Sequence, residues 1–129
     1  MREAPLSKVC YVEDDEDIQR IVRMSLERIG KMRVEIISDP TTAIDAILAF
    51  QPDLVLLDWM MPVIDGPTLF GQMRQRPELH DVPVVFITAK ASQRELDELR
   101  KMGAAGVLSK PFSPKDLPDQ LRTIWRNLA

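Results

Sequence analysis

Short apolar runs alternate along this chain with stretches in which apolar residues recur every three or four positions. The first run is Val9-Cys10-Tyr11-Val12. After it, Ile18, Ile21, Val22, Ser25, Leu26 and Ile29 fall on one helical face, and Gly30 follows as the expected left-handed C-cap. Val34-Glu35-Ile36-Ile37 is partly alternating, as a strand with one exposed side requires. Asp39-Pro40 supplies an N-cap with proline in the first turn, and Ala43, Ile44, Ile47 and Leu48 line the helix that follows. Leu54-Val55-Leu56-Leu57 is uninterrupted apolar sequence, the pattern of a strand buried on both sides of a parallel sheet.

A turn through Asp65-Gly66-Pro67 opens a third helix near Thr68–Arg74. Val82 to Ile87 reads as a fourth strand, with Pro83 tolerated near its start. Ser92 and Glu95 form a capping box for a fourth helix, which Gly103 closes. Val107-Leu108 is a short fifth strand. Leu117, Leu121, Ile124, Trp125 and Leu128 then line a last helix. Five strand–helix units predict parallel strands, right-handed crossovers and helices on both faces: a three-layer α/β sandwich.

Length and composition agree with one such domain. The chain has 129 residues, 45% hydrophobic and 29% charged, without internal repeats or a low-complexity linker. No apolar run is long enough to span a membrane. The start lacks the apolar stretch of a secretory signal, so a cytoplasmic location is expected. A net charge of −3 argues against a general nucleic-acid-binding surface. That deficit sits in one place, Glu13-Asp14-Asp15-Glu16-Asp17. Asp15, Glu16 and Asp17 suit the start of a helix, where the macrodipole favours negative charge.

The ends of the apolar runs are more informative. The first runs into Glu13-Asp14, the third into Asp58, the fourth into Thr88 and the fifth into Ser109-Lys110. In a parallel sheet all these ends share one edge, where open α/β folds bind their ligands. Clustered carboxylates repel by about 4 kcal/mol per pair at ~4 Å and an effective dielectric near 20, so such a site wants a cation. All-oxygen ligation suits Mg²⁺, and a Lys and a Thr beside it would suit a phosphoryl group. Each residue taken alone is equally a turn, cap or loop residue. Only their convergence favours a site.

Four segments resemble the receiver domain of bacterial two-component response regulators. They are Tyr11-Val12-Glu13-Asp14-Asp15, Leu56-Leu57-Asp58-Trp59-Met60-Met61-Pro62 with Asp65-Gly66, Val85-Phe86-Ile87-Thr88-Ala89, and Ser109-Lys110-Pro111-Phe112. The resemblance covers essentially the whole chain, with residues 6–129 as the receiver and 1–5 as an N-terminal tail. It implies a flavodoxin-like sheet in the order 2-1-3-4-5, and a length like that of single-domain chemotaxis-type receivers. It further implies that Asp58 accepts a phosphoryl group from a histidine kinase or phosphotransfer protein. Asp14, Asp58 and the backbone carbonyl of Met60 would then hold Mg²⁺, with Glu13 acting through water. Lys110 and Thr88 would stabilise the phosphoryl group, and the Lys110-Pro111 bond would be cis. A conformational shift would be read on the face of the fourth helix, fifth strand and fifth helix. Any output would come through another protein, whose identity the residues do not specify, or through the rest of a larger regulator or hybrid kinase of which this chain is a piece.

Three departures from the family pattern matter. Val107 stands where many receivers carry an aromatic switch residue, so an aromatic rotamer change cannot be the relay. Pro118 removes a backbone donor unless the last helix starts near Leu117. Met60 and Lys90 occupy the positions that tune dephosphorylation, and Met60 cannot orient water by hydrogen bonding, which implies slow self-hydrolysis. The competing classes are a Mg²⁺-dependent phosphohydrolase and a receiver that only binds partners. The first lacks a second Asp two residues after Asp58. The second does not explain why Asp14, Asp58, Thr88 and Lys110 are all present.

Cys10 and Trp125 read as core, His80 as a solvated loop residue, and Trp59 as a wall of the site. Arg94, Arg100 and Lys101 read as a solvated helix face.

Overall fold

The computed structural model describes residues 4–89 and 92–128. Five parallel strands, β1 (Lys8–Val12), β2 (Arg33–Ile37), β3 (Leu54–Asp58), β4 (Val84–Thr88) and β5 (Gly106–Ser109), form one sheet in the order β2-β1-β3-β4-β5. The helices are α1 (Glu16–Met24), α2 (Ala43–Phe50), α3 (Gly66–Gln75), α4 (Gln93–Lys101) and α5 (Leu117–Arg126). The fold class and strand order are those expected.

Period-two alternation divides the strand residues between two apolar layers. Val9, Tyr11, Leu54, Leu56, Val85 and Ile87 pack with Val22 and Leu26 near α1 and with Leu117, Leu121 and Trp125 of α5. Cys10, Val12, Val55, Leu57, Val84 and Phe86 pack with Ile47 of α2, Phe70 of α3 and Leu99 of α4. β1, β3 and β4 are covered on both faces, which is why their sequences are almost continuously apolar. The buried Cys10 thiol has its pKa pushed up to about 12, first by burial and then by Glu35, so it is an inert core group. Trp125 is also core, its indole N–H donating to the Ala4 carbonyl at 2.7 Å.

Helix starts are mostly capped by side chains, as expected at Ser92, whereas Asp39 caps a short 3-10 turn over Pro40–Thr42 that leads into α2. Asp15 caps α1 through Asp17 N and Ile18 N, Asp65 caps α3 through Thr68 N, and Ser92 with Glu95 forms the capping box of α4. α5 begins at Leu117, so Pro118 lies in the first turn where no helical donor is lost. Gly103 follows α4 with φ +98°. β4 starts at Val84 rather than Val82, because Pro83 has no N–H to give the ladder.

The first helix departs from the simple periodic expectation. It continues beyond α1 as a π-helical turn over Ser25–Ile29, with Gly30 N donating to the Ser25 carbonyl at 2.9 Å. The wider turn rotates Ile29 outward to 45% exposure, and Ile21 sits at the edge of the face at 42%. Gly30 is not the left-handed cap. Its φ is −82°, and Lys31 takes the left-handed conformation at φ 59°. Gly30 is needed for space instead. A Cβ there would lie 2.8 Å from the Leu26 carbonyl oxygen and 3.0 Å from Pro118 Cβ. Gly30→Ala should therefore force α5 away from this turn and lower the unfolding free energy by about 1–3 kcal/mol. Urea denaturation measures this, and an unchanged midpoint would contradict the packing argument.

Candidate functional site

Strand register brings the polar run-ends together. Val12 lies opposite Leu57, Asp58 opposite Ile87, and Thr88 opposite Ser109. The residues that follow β1 and β5, Glu13-Asp14 and Lys110, therefore meet Asp58 and Thr88 at one sheet edge. Two backbone bonds prolong the ladder there. Glu13 N donates to the Ile37 carbonyl at 3.0 Å, and Lys110 N to the Thr88 carbonyl at 2.8 Å.

Glu13, Asp14 and Asp58 each offer a carboxylate oxygen, and these oxygens lie within 4.8 Å of one another. Glu13 and Asp58 are buried, at 1% and 4% exposure, while Asp14 faces solvent. Lys110 Nζ lies 3.0 Å from Asp58 Oδ1 and 3.2 Å from Glu13 Oε1. Burial acts against its charge, but the hydrogen bond to Asp58 and the nearby Glu13 outweigh this and raise its pKa. The Glu13 carboxyl is also shifted upward, chiefly by burial and by Asp58 beside it, against the opposing pull of Tyr11 and Lys110. Two buried carboxyl groups thus share one ammonium, and the exposed Asp14 adds a third carboxylate beside them. The oxygen donors match a hard divalent cation of the Mg²⁺ type, which tolerates a few carboxylates plus waters.

A cleft of about 270 Å³ opens onto this edge, lined by Asp14, Asp58, Met60, Ala89 and Lys110 among others. Thr88 is buried at the end of β4. The Met60 side chain stands at the mouth, 75% exposed. The loop carrying it is tightly anchored. Gly66 N donates to the Trp59 carbonyl at 2.8 Å, and a Cβ on Gly66 would lie 2.5 Å from the Asp58 carbonyl oxygen. Only glycine lets α3 start this close to β3.

Several residues stand elsewhere. Trp59 does not wall the cleft; one residue beyond Asp58, it turns to the opposite face and packs on Phe86 with ring centroids 6.1 Å apart. Val107 is half-buried against the layer beneath α2, α3 and α4. Lys90 lies outside the described residues. His80 is an exposed loop residue 3.2 Å from Asp81. The Lys110-Pro111 bond is cis.

The site also includes Tyr11 and Gln19, which the polar run-ends alone do not mark. Tyr11, fully buried, donates its hydroxyl proton to Glu13 Oε1 at 2.8 Å. The signal is its spacing: a phenol two residues before an acid on a strand shares its face and needs a partner. Gln19 of α1 donates to the Glu13 carbonyl and, at 3.1 Å, to Ser38 Oγ.

This arrangement defines a class. Residues 9–122 match the response regulator receiver domain, and the chain belongs to that family, the phospho-accepting signalling module of two-component systems. It is 31% identical over 122 residues to the phosphate regulon transcriptional regulatory protein PhoB of Escherichia coli, covering 95% of this chain and 53% of that protein. The chain thus spans about half the length of the curated phosphate-regulon relatives it matches. It is also 31% identical over 121 residues to chemotaxis protein CheY-3 of Vibrio cholerae, covering 94% of this chain and 93% of that one. Among solved structures, the chemotaxis response regulator CheY4 of Vibrio cholerae matches with a TM-score of 0.84 at 27% identity, covering 92% and 98% of the two chains. The receiver domain of the Francisella response regulator 1452 matches with a TM-score of 0.82 at 28% identity, covering 95% and 98%. No helix among the described residues is long and apolar enough to cross a membrane.

The charge imbalance has a measurable consequence. Lys110→Met leaves the carboxylates without their ammonium and should cost about 3 kcal/mol of stability in the presence of EDTA. Added Mg²⁺ should then raise the melting temperature of the variant by more than that of the wild type. Equal shifts would mean that Lys110 does not offset the carboxylate charge.

Proposed function

We propose that Asp58 is the phosphoryl acceptor of this receiver. The reading rests on one observation above all: a buried carboxylate at the end of β3, within reach of two other carboxylates and 3.0 Å from a lysine ammonium. Asp14, Asp58 and the Met60 backbone carbonyl would hold Mg²⁺, with Glu13 engaged through a water. When bound, that cation supplies positive charge that offsets the repulsion between the phosphoryl oxygens and the carboxylates.

The protein's own groups do the rest. Asp58 presents a carboxylate oxygen in line with the phosphorus of a partner's phosphohistidine. The new O–P bond forms as the N–P bond breaks, leaving an acyl phosphate on Asp58 and a neutral imidazole on the partner once it has regained its proton. Lys110, already poised on Asp58, turns to the phosphoryl oxygens, and the Thr88 hydroxyl hydrogen-bonds them. Inward movement of Thr88 shifts the population of conformers, and the α4-β5-α5 face carries the change to a target protein. The half-buried Val107 would move with that face as an aliphatic packing element. The receiver unit takes in residues 6–129, with 1–5 as a tail, and acts in the cytoplasm on a phosphate supplied by a histidine kinase or phosphotransfer protein.

Met60 and Lys90 are the positions assigned to tuning the lifetime of the acyl phosphate. The exposed Met60 thioether offers an attacking water no hydrogen bond of useful strength, so hydrolysis is slow. Incubation with Mg²⁺ and a small acyl-phosphate donor should produce an alkali-labile adduct, detected by mass spectrometry, that is absent from Asp58→Asn and lost faster from Met60→Asn. An adduct that persists in Asp58→Asn would refute the assignment, and a wild-type half-life of only seconds would refute the role of Met60.

A further inference from the structure

We propose that Tyr11 is a positioning residue for the cation site, acting through Glu13. The inference rests on the Mg²⁺ reading above and extends it to a residue inside the core. Tyr11 and Glu13 are two positions apart on one strand path, so both project from the same face of the sheet. The Tyr11 hydroxyl donates to Glu13 Oε1 at 2.8 Å, and Lys110 Nζ meets the same oxygen at 3.2 Å. The other oxygen, Oε2, accepts the Asp15 N–H at a longer 3.3 Å. With Oε1 committed to two donors, Oε2 is the oxygen with capacity left for a cation or its water. The phenol therefore sets the rotation of a carboxylate that solvent barely reaches.

Tyr11 has a second consequence for the same group. Lys110 serves both Glu13 and Asp58, and in the proposed reaction it turns to the phosphoryl oxygens. A buried carboxylate oxygen stripped of its only donor is costly. The Tyr11 hydroxyl remains on Oε1 when Lys110 leaves, so Glu13 keeps its orientation through the exchange. This hydroxyl thus stands to the cation site as outer hydrogen-bond partners stand to metal-bound side chains, whose loss weakens affinity by about 10–100-fold.

A core role alone would make Tyr11→Phe a matter of stability, and a double-mutant cycle separates the two. Isothermal titration of Mg²⁺ into wild type, Tyr11→Phe, Glu13→Gln and the double variant should show an approximately tenfold weakening from Tyr11→Phe alone. In the Glu13→Gln background the same change should alter affinity by less than about twofold, since the positioned carboxylate is gone. Tyr11 is the only tyrosine in the chain, so its ring ¹³Cζ resonance is unambiguous. It should shift during a Mg²⁺ titration of the wild type with the calorimetric Kd, a readout that holds even if a variant fails to fold. Unchanged affinity in Tyr11→Phe, an equal loss in both backgrounds, or a resonance unmoved at Mg²⁺ saturation would each overturn the assignment. A wild type that binds no Mg²⁺ would instead overturn the cation reading on which it rests.

Discussion

Carboxylates that share one small region of a protein repel, and here two of the three are buried. Burial removes the water that would otherwise screen them, so the repulsion must be met by fixed partners. Lys110 bridges Asp58 and Glu13, Tyr11 donates to Glu13, and Asp15 N–H donates to its other oxygen. These partners hold the cluster together without neutralising it. In the function proposed above, the remaining negative charge is what would favour a hard cation and, with that cation in place, a phosphoryl group.

Everything else in the fold delivers those groups to one edge. Parallel pairing places all strand C-termini on the same side, and the β2-β1-β3-β4-β5 order makes β1 and β3 neighbours. That adjacency brings Glu13 and Asp14 to Asp58 across more than forty residues of sequence, and β4 and β5 add Thr88 and Lys110. Two apolar layers, one on each face, make the central strands rigid enough to hold the spacing. Gly66 allows α3 to begin directly over the Asp58 carbonyl, which shortens the loop that carries Met60.

Much of this was legible in the sequence because burial on both faces writes itself as continuous apolar runs. β3 and β4 are recognisable from Leu54-Val55-Leu56-Leu57 and Val84-Val85-Phe86-Ile87 alone, and the capping box of Ser92 and Glu95 follows from its side-chain chemistry. The convergence of Asp14, Asp58, Thr88 and Lys110 follows from parallel topology. What periodicity could not show is where it breaks. The π-helical turn at Ser25–Ile29 rotates Ile29 out of the core, and Gly30 serves close packing against Pro118 rather than a left-handed cap. Trp59 was misplaced because adjacency in sequence to Asp58 means the opposite face in space. Val63 adopts φ 71°, a conformation costing roughly 1–2 kcal/mol for a residue with a Cβ, and no glycine or asparagine marks it. Tyr11 reads as core and is core; only the structure shows where its hydroxyl goes.

The carboxylate cluster can be tested most directly by crystallography with Mn²⁺ in place of Mg²⁺, using the anomalous signal of the ion. The arrangement predicts one strong peak in the cleft between Asp14 and Asp58, within coordination distance of their carboxylates, and its disappearance in Asp14→Asn. A crystal saturated with Mn²⁺ that shows no peak there, or a peak that survives Asp14→Asn unchanged, would contradict it.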